Sequence, residues 1–335
     1  MRATLDWSYG LLDPLEQAMF RRLAVFRGGF TLEFVERFHD VYPAAEGNAL
    51  RLLGRLVDTS MVERSTDDRF KMLEPIRHYG LLMVEEHGEE ATAFSAHSLV
   101  YCEAFRLPES DVFGLPTNGR MRHQFIMHMD NVRAALNRAF ERGDRATAVE
   151  LGVAAGCHFY GVGHLAEANH WLSTALSASS EATPNRARAL TRAALISGFL
   201  GGPDRAQSLV EELEATAEEL GDDRWRATAI ERRALLALSR DDVETASTLW
   251  DEAAQLLLDL DDPEARVPVS NHMEALYYAG DYLKADLVAT QLAELGARFD
   301  DPELVASAAI GRSFIAAWRG DADSAERYFA AAAEY

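Results

Sequence analysis

The side chains that most often ligate metals show no metal-binding spacing in this 335-residue chain. Of its ten histidines, His123 and His128 are five residues apart, and His164 and His170 are six apart. Two ligands on one face of a helix are four residues apart, as in zinc sites built on helices. We therefore predict no metal site.

Catalytic nucleophiles and phosphate-binding loops are also missing from the sequence. It contains no Gly-x-Ser-x-Gly elbow, and Cys102 and Cys157 carry no local signature and lie far apart, which suits reduced thiols. The only lysines, Lys71 and Lys284, each follow an apolar residue, so the Gly-Lys-Ser/Thr of a P-loop is absent. We predict that the chain is not an enzyme and binds no cofactor itself.

The chemistry that the sequence does offer is binding, through arginine and aromatic side chains in its second half. Arginine pairs with carboxylates in a bidentate manner and aromatic rings stack, so such a set suits an extended acidic peptide or a small acidic ligand. The alternative is that the rings pack in the core and the arginines pair with neighbouring acids. The candidate groove residues are Tyr160, Arg188, Arg192, Phe199, Arg232, Tyr277, Tyr278, Phe314 and Trp318.

A repeat of about forty residues must position that set. A turn residue is followed four positions later by alanine, and the alanines step by 38, 40, 39 and 40 residues. A fixed period of this length indicates an array of helical hairpins, in which Asp or Gly begins a helix and Ala lets two helices approach closely. The turn residues are His164, Gly202, Asp242, Asp281 and Asp321, and the alanines are Ala168, Ala206, Ala246, Ala285 and Ala325.

The register of the repeat predicts where the binding groove lies. If each alanine is in the second helix of a tetratricopeptide-like hairpin, the first helix faces a concave groove. Phe199, Tyr278 and Trp318 each stand seven residues before an alanine, near the end of a first helix. The first helices are rich in arginine and the second helices in acids. The predicted hairpins pair 184–200 with 203–220, 223–240 with 242–260, 263–280 with 281–298, and 302–319 with 321–335.

The first eighty residues read as a different kind of domain. Asp13-Pro14-Leu-Glu16 has the residues of a capping box at a helix start, and Gly28-Gly29 ends that helix. Two more helices are predicted from Thr31 and from about Asn48, followed by β-like pieces at 60–64 and 69–72. Three helices followed by a hairpin form the layout of a winged helix.

This layout raises DNA binding as an alternative function. The third helix carries Arg51 and Arg55, and the hairpin carries Arg64 and Arg69. From these positions the four side chains could reach a DNA groove and its phosphates. Acidic residues in the same elements leave little positive potential, whereas recognition helices are normally basic or rich in amides. Those acids are Asp58, Glu63, Asp67 and Asp68.

Net charge excludes nucleic acid from the repeats. The chain carries a formal charge of −21, while residues 1–80 hold 11 basic and 12 acidic groups and the rest holds 22 and 42. A surface of that sign repels phosphate backbones. Only the first eighty residues remain eligible, and we expect no direct DNA binding by the chain.

Five motifs, in order along residues 1–140, carry a family resemblance. Together they resemble the carboxy-terminal half of bacterial signal-transduction ATPases with numerous domains, which are actinobacterial regulators similar to AfsR and LuxR-type transcription factors. The helical repeats that follow match the tetratricopeptide-like sensor of that family. The motifs are Leu5-Asp-Trp7-Ser-Tyr9-Gly-Leu-Leu12, Leu23-Ala-Val-Phe26-Arg-Gly-Gly-Phe30, Leu56-Val-Asp-Thr-Ser60-Met-Val, Leu73-Glu-Pro-Ile-Arg77-His-Tyr79 and Asp130-Asn131-Val-Arg133-Ala-Ala-Leu136.

The resemblance implies a nucleotide-switched regulator, in which an upstream P-loop module binds nucleotide, a winged helix closes over it and the repeats sense a partner or ligand. This chain departs from that pattern at Met72-Leu73-Glu74, where related switches have Met-His-Asp with histidine on the nucleotide. Leucine cannot make that contact. The DNA-binding domain of the family is also absent, so we interpret the chain as a portion of a longer regulator or a reduced relative.

The sequence therefore predicts a mainly α protein, with a small winged-helix domain followed by an α-helical tetratricopeptide-like repeat superhelix. The expected domains are a winged helix over 1–90, a helical linker or arm over 91–143 and repeats over 144–335, truncated at the C-terminus. We expect a cytoplasmic, non-enzymatic sensor and protein-interaction portion of a transcriptional regulator, without membrane contact. Nucleotide binding would fall to an upstream ATPase module, the exposed last repeat suits self-association, and a plain repeat scaffold is a further alternative.

Overall fold

The computed structural model describes residues 2–42, 46–65, 68–114 and 119–333, which form seventeen α-helices and three short strands. The mainly α class is confirmed. The chain divides into two compact units, a first unit of residues 1–107 with 116–178 and a second unit of residues 108–115 with 179–335. The predicted limits at 90 and 143 stay predictions, while the units divide inside the range predicted as repeats.

The first unit contains the three predicted helices and the hairpin, preceded by a helix at Arg2–Gly10 that was not predicted, and the first predicted helix ends at Leu23 and not at Gly28-Gly29. Asp13 accepts hydrogen bonds from the backbone N–H groups of Leu15 and Glu16, and Glu16 accepts one from Asp13 N at 3.0 Å, so the capping box is confirmed. A first strand joins the hairpin to give the antiparallel order β1-β3-β2, with Phe30 opposite Phe70. The elements are α1 (Arg2–Gly10), α2 (Pro14–Leu23), β1 (Phe30–Thr31), α3 (Leu32–Val41), α4 (Ala49–Asp58), β2 (Glu63–Arg64) and β3 (Arg69–Lys71).

The strand β1 was not indicated by the sequence, because two residues are too short for a periodic signal. The order of helix, strand, two helices and hairpin fits the predicted winged helix, and that assignment stays a prediction. Asp67, one of the acids weighed against DNA binding, lies outside the described residues. The unit is completed by α5 (Glu74–Glu86), α6 (Glu90–Ala104), α7 (Gly119–Glu141), α8 (Arg145–Gly161) and α9 (Leu165–Ala178).

Asn131 joins two of the family-like motifs inside the first unit. It is fully buried on α7, its Oδ1 accepts from Arg27 N at 2.6 Å, and its Nδ2 donates to the carbonyl oxygen of Gly29 at 2.7 Å. Gly28 between them has φ +76°, and a Cβ there would lie 2.8 Å from Asp130 Oδ2. The glycine is therefore required both by its backbone conformation and by the close approach of α7.

Three buried histidines line the aromatic core of the same unit. His128 stacks on Phe34 with the ring centroids 3.9 Å apart, and His158 stacks on Phe125 at 4.9 Å. Burial lowers the pKa of His97 to about 4, of His158 to about 4 and of His128 to about 3. All three are therefore neutral core side chains at pH 7, and none of them acts as an exposed ligand.

The second unit holds the four predicted helical hairpins. Asp242, Asp281 and Asp321 each accept a hydrogen bond from the N–H three residues on, at 3.0, 3.2 and 3.1 Å, so the predicted turn residues are helix caps. The helices are α10 (Pro184–Phe199), α11 (Pro203–Leu220), α12 (Asp223–Leu238), α13 (Val243–Asp259), α14 (Arg266–Tyr278), α15 (Tyr282–Arg298), α16 (Pro302–Trp318) and α17 (Ala322–Ala332), with a 3-10 turn at Pro263–Ala265.

The recurring alanines lie where the two helices of a hairpin meet. Ala168, Ala206, Ala246 and Ala285 are buried with at most 1% exposure, and Ala325 of the last hairpin is half-buried. A larger side chain would separate the helix backbones at each of these places. The end of the predicted last helix at Tyr335 lies outside the described residues.

Close packing of the hairpins gives a testable glycine pair in the second unit. A Cβ on Gly296 would lie 2.6 Å from Val305 Cγ2 and 2.9 Å from Val305 N, whereas one on Gly198 would meet nothing within 4 Å. Gly296→Ala is expected to lower the free energy of unfolding by about 1–3 kcal/mol, because α16 must move. Gly198→Ala, the matched control, is expected to leave it unchanged or raise it by up to about 1 kcal/mol.

Urea unfolding followed by circular dichroism measures both glycine variants. Equal effects of the two substitutions would show that α15 and α16 do not approach closely at Gly296.

Within the described residues, none of the helices is long and apolar enough to span a membrane.

Candidate functional site

The predicted groove residues of the second unit lie in three places, which are the arginines of α10 and α12, the aromatic residues of α14 and α16, and Phe199 at the end of α10. Arg188, Arg192 and Arg232, which we name the arginine site, are buried on α10 and α12 with at most 4% exposure. The aromatic residues of α14 and α16 are mostly exposed. Tyr160 is half-buried in the first unit. The nine candidates therefore do not form one continuous surface.

Two of the three arginines bind backbone carbonyls of the chain, and the third, Arg232, has its Nε 3.1 Å from Glu231 Oε2. Arg188 Nε donates to the carbonyl oxygen of Asp111 at 2.6 Å, and Arg192 Nη2 donates to that of Gly114 at 3.0 Å. The acceptors belong to the segment between α6 and α7, of which residues 115–118 lie outside the described residues. The expected pairing of these arginines with an acidic ligand is replaced by contacts within the chain.

Five aromatic residues meet at the adjoining ends of α14, α15 and α16. Tyr277 lies 5.1 Å from Tyr278, 6.4 Å from Phe314 and 6.3 Å from Trp318 between ring centroids. Tyr282, which sequence reasoning missed, stacks on Trp318 at 6.4 Å with 23° between the planes. We name these five residues the aromatic cluster. The signal that could have found Tyr282 is its place directly after the capping Asp281 of the same hairpin.

The aromatic cluster is open to solvent. Tyr278 is 82% exposed, Trp318 66% and Phe314 55%, while Tyr277 is half-buried. The alternative that these rings pack in the core is therefore wrong for the three exposed ones. A contiguous exposed apolar patch on a folded domain marks an interaction surface more often than scattered single residues do. Flat, rigid rings bind with little loss of side-chain entropy.

Phe199, the remaining aromatic candidate, borders a separate apolar cleft. It is 65% exposed at the end of α10. The cleft has a volume of about 290 Å³ and lies between α10, α11 and α12. Its lining includes Leu195, Phe199, Pro203, Val210, Arg232 and Leu235. Phe199 thus belongs to another part of the unit and serves below as a matched aromatic control.

The four arginines proposed for DNA binding are mostly engaged within the first unit. Arg55 Nε lies 3.1 Å from Glu16 Oε1, and Arg64 Nη2 lies 2.5 Å from Asp68 Oδ1. Arg69 donates to the carbonyl oxygens of Gly28, at 3.0 Å, and Met127. Arg51 is exposed. Arginines held by carboxylates and carbonyls offer no basic recognition surface, so the geometry gives this alternative no support.

The metal-ligating and thiol side chains of the described residues are the remaining reactive groups. Within residues 2–42, 46–65, 68–114 and 119–333, no three His, Cys, Asp or Glu side chains are placed to hold a metal ion. Cys102 and Cys157 are buried and not joined by a disulfide, and burial raises the pKa of Cys102 to about 12. A thiol with so high a pKa is a poor nucleophile.

The sequence is similar to that of a Mycobacterium tuberculosis protein named "Putative HTH-type transcriptional regulator", with 31% identity over 284 residues. The match covers 78% of this chain and 30% of that protein, and a Mycobacterium bovis protein of the same name matches equally. The chain thus spans about 30% of the length of these relatives. No family model matches the chain.

Two solved structures have a similar fold. A signal transduction ATPase with numerous domains from Pyrococcus horikoshii, with a tetratricopeptide repeat sensor, gives a TM-score of 0.55 at 12% identity and covers 98% of this chain and 51% of that one. A Rap protein complexed with competence and sporulation factor gives 0.54 at 16% identity, covering 89% and 84%. At these identities the likeness concerns the fold alone. The tetratricopeptide-like fold and the resemblance to transcriptional regulators are confirmed.

Proposed function

We propose that this chain, a relative of mycobacterial proteins named as HTH-type transcriptional regulators, is the sensor and protein-interaction portion of such a regulator. Its repeats bind a partner peptide at the aromatic cluster, and binding biases the regulator between two states because the peptide has different affinities for them. The regulatory and protein-interaction character is supported by the relatives and by the fold. Sensing and the choice of surface are our proposal.

The observation that carries the proposal is the exposure of the aromatic cluster. Five rings within one hairpin and its neighbour lie 5.1 to 6.4 Å apart, yet the largest of them, Trp318, is 66% exposed. Folding of the second unit therefore does not account for their position. A peptide with apolar side chains would bury these rings, and that burial would supply most of the binding free energy.

Charge makes the partner neutral or basic in our proposal. Residues after position 80 hold 42 acidic and 22 basic groups, which repel an acidic peptide. The acidic ligand expected from sequence depended on Arg188 and Arg192, and both bind backbone carbonyls of the chain itself. A basic peptide would also associate faster at low salt, because the field of the repeats attracts it.

The proposal assigns no reaction and no cofactor to this chain. Nucleotide binding is placed in an upstream ATPase module, as the family resemblance implies, and contact with DNA in another part of the regulator. Self-association through the last repeat stays a further proposal, in keeping with Phe329 of α17, which is 64% exposed.

Removal of two rings tests the proposed surface. Tyr278→Ala/Trp318→Ala is expected to weaken binding of a peptide selected from random dodecapeptides on the wild-type chain by at least about tenfold, because exposed aromatic residues are typical binding hot spots. Since both rings are exposed, the free energy of unfolding should change by less than about 1 kcal/mol. Isothermal titration and thermal unfolding give the two numbers.

Phe199→Ala is the matched control, because this ring is equally exposed but outside the aromatic cluster. It should leave the affinity for the selected peptide unchanged. Undiminished binding by Tyr278→Ala/Trp318→Ala would contradict the proposal that the aromatic cluster binds the peptide. A large loss of stability would show that the two rings contribute to folding.

A further inference from the structure

One stretch of chain enters the second unit from outside the repeats. Residues 108–114, which we name the inner segment, belong to the second unit, whereas the chain on both sides of residues 108–115 belongs to the first unit. The inner segment contains no helix or strand. Val112 and Phe113 are fully buried and Asp111 is 5% exposed. Residues 108–110 are exposed and residues 111–114 are buried, and buried residues without secondary structure need other partners for their backbone groups.

The arginine site supplies those partners. Arg188 and Arg192 are themselves buried, so their guanidinium groups require acceptors in place of water. The acceptors are the backbone carbonyls of five of the seven residues of the inner segment. Arg188 donates to Pro108 at 3.1 Å, Glu109 at 3.4 Å and Asp111 at 2.6 Å, and Arg192 donates to Phe113 and, at 3.0 Å, to Gly114.

Recognition of this kind is that of a bound peptide. The inner segment presents its carbonyls from turns, since Asp111 N donates to the carbonyl oxygen of Pro108 at 3.1 Å and Val112 N to that of Ser110 at 2.9 Å. The two arginines therefore recognise a backbone conformation more than a sequence. The side chain of Phe113 gives the site a preference for an aromatic residue, because it is fully buried and the Arg232 guanidinium lies 5.7 Å from its ring centroid. The arginine site therefore has the parts of a peptide site, namely guanidinium groups that donate to backbone carbonyls and a buried place for one aromatic ring.

The inner segment also carries a feature that weakens its own binding. Asp111 lies within electrostatic range of the buried acid Glu264. Burial raises the pKa of Glu264, and the charges of Asp111 and Asp262 add to that effect while Arg266 opposes it. Like charges in a buried site repel. A peptide with a neutral residue in the place of Asp111 would avoid this repulsion.

We propose that the arginine site is a peptide-binding site that the inner segment occupies, and that a peptide able to adopt the turns of residues 108–112, with an aromatic side chain in the place of Phe113, displaces the segment. The site shares no residue with the aromatic cluster, so it does not depend on the function proposed above. Because the inner segment is tethered, its effective concentration is on the order of millimolar, and a competitor must bind more tightly than the segment does. The inner segment thus keeps the site closed to weak ligands.

A labelled peptide with the sequence of residues 107–114, Leu-Pro-Glu-Ser-Asp-Val-Phe-Gly, is the probe for fluorescence anisotropy with the full chain. Phe113→Ala in the chain removes the buried ring of the competitor and is expected to raise the affinity for the probe at least about tenfold. A probe with asparagine in the place of aspartate is expected to bind more tightly, and a probe with alanine in the place of phenylalanine should not bind.

Second substitutions in the Phe113→Ala chain locate the binding. Arg192→Met removes the guanidinium group that donates to two backbone carbonyls and is expected to abolish binding of the probe. Trp318→Ala removes an exposed ring of the aromatic cluster and should leave that binding unchanged. A folded Phe113→Ala chain that binds the probe no better than wild type would overturn the proposal. Binding that Trp318→Ala abolishes would do the same, because it would place the probe at the aromatic cluster.

Hydrogen exchange of the wild-type chain gives an independent test if Phe113→Ala does not fold. The asparagine probe, added at several millimolar, is expected to increase the exchange of amides in residues 108–114 while α10 and α12 stay protected. Unchanged exchange of the inner segment under those conditions would contradict displacement.

Discussion

Asn131→Leu is expected to destabilise the first unit by about 3 kcal/mol or more. The substitution keeps the branched shape of the side chain but removes the hydrogen bond from Arg27 N and the one to the carbonyl oxygen of Gly29. Because the asparagine is fully buried, the substitution also leaves the N–H of Arg27 and the carbonyl of Gly29 without a hydrogen-bond partner, and each loss lowers the free energy of unfolding by about 1–3 kcal/mol. Urea unfolding monitored by hydrogen exchange within residues 2–107 would measure the loss.

Asn169→Leu is the matched control in the same unit. Asn169 is half-buried on α9, and its side-chain oxygen has no hydrogen-bond partner within the described residues. The control should therefore change the free energy of unfolding by less than about 1 kcal/mol. If both substitutions had the same small effect, the link between the two motifs through Asn131 would not be a main source of stability.

Acidification from pH 7 to about 4 is expected to unfold the first unit before the second. The pKa values of His97 and His158 are lowered to about 4 and that of His128 to about 3, from 6.5 in the unfolded chain. A lowered histidine pKa means that the unfolded state binds the proton first. The stabilisation is present above pH 6.5 and is lost as the pH falls toward the folded values, by roughly 3 kcal/mol for each histidine at pH 4.

The second unit provides an internal comparison in the same experiment. The pKa of Glu264 is raised by burial, so its folded state binds the proton more readily and the contribution to stability increases as the pH falls toward 4.5. Hydrogen exchange at a series of pH values, resolved for the two units, should show loss of protection in α6 and α7 before α10 and α12. Simultaneous loss in both units, or none by pH 4, would contradict the assignment of three neutral buried histidines.

The repeats could be predicted because their signals are local. Asp242 and Asp281 cap helices through bonds that span three residues, and Ala246 and Ala285 pack within their own hairpins. Such features recur with the period and need no knowledge of distant contacts. The capping box at Asp13 is local in the same way.

The contents of the arginine site could not be predicted, because the contacts join distant parts of the chain. Arg188 and Asp111 are 77 residues apart, and Arg192 and Gly114 are 78 apart. Nothing in a period of about forty residues specifies which segment will meet a first helix. That the arginine-rich helix face is a binding site stays a prediction, and backbone carbonyls of the chain stand where an acidic ligand was inferred.

The role of the family-like motifs could not be predicted from residue type either. Asn131 and Gly28 recur in the resemblance to nucleotide switches, yet in this chain they fasten α7 to the turn before β1. Residue type alone could not separate that structural role from a role in switching. The structural role is visible only in the hydrogen bonds of Asn131 to Arg27 and Gly29, which join residues more than 100 positions apart in sequence.

Amide hydrogen exchange with a peptide selected on the wild-type chain tests the central claim, which is that the aromatic cluster is the partner-binding surface. The account predicts slower exchange at the end of α14, the start of α15 and the end of α16 when peptide is bound, and no such change in Tyr278→Ala/Trp318→Ala. Protection confined to other helices, or protection that survives loss of both rings, would contradict it.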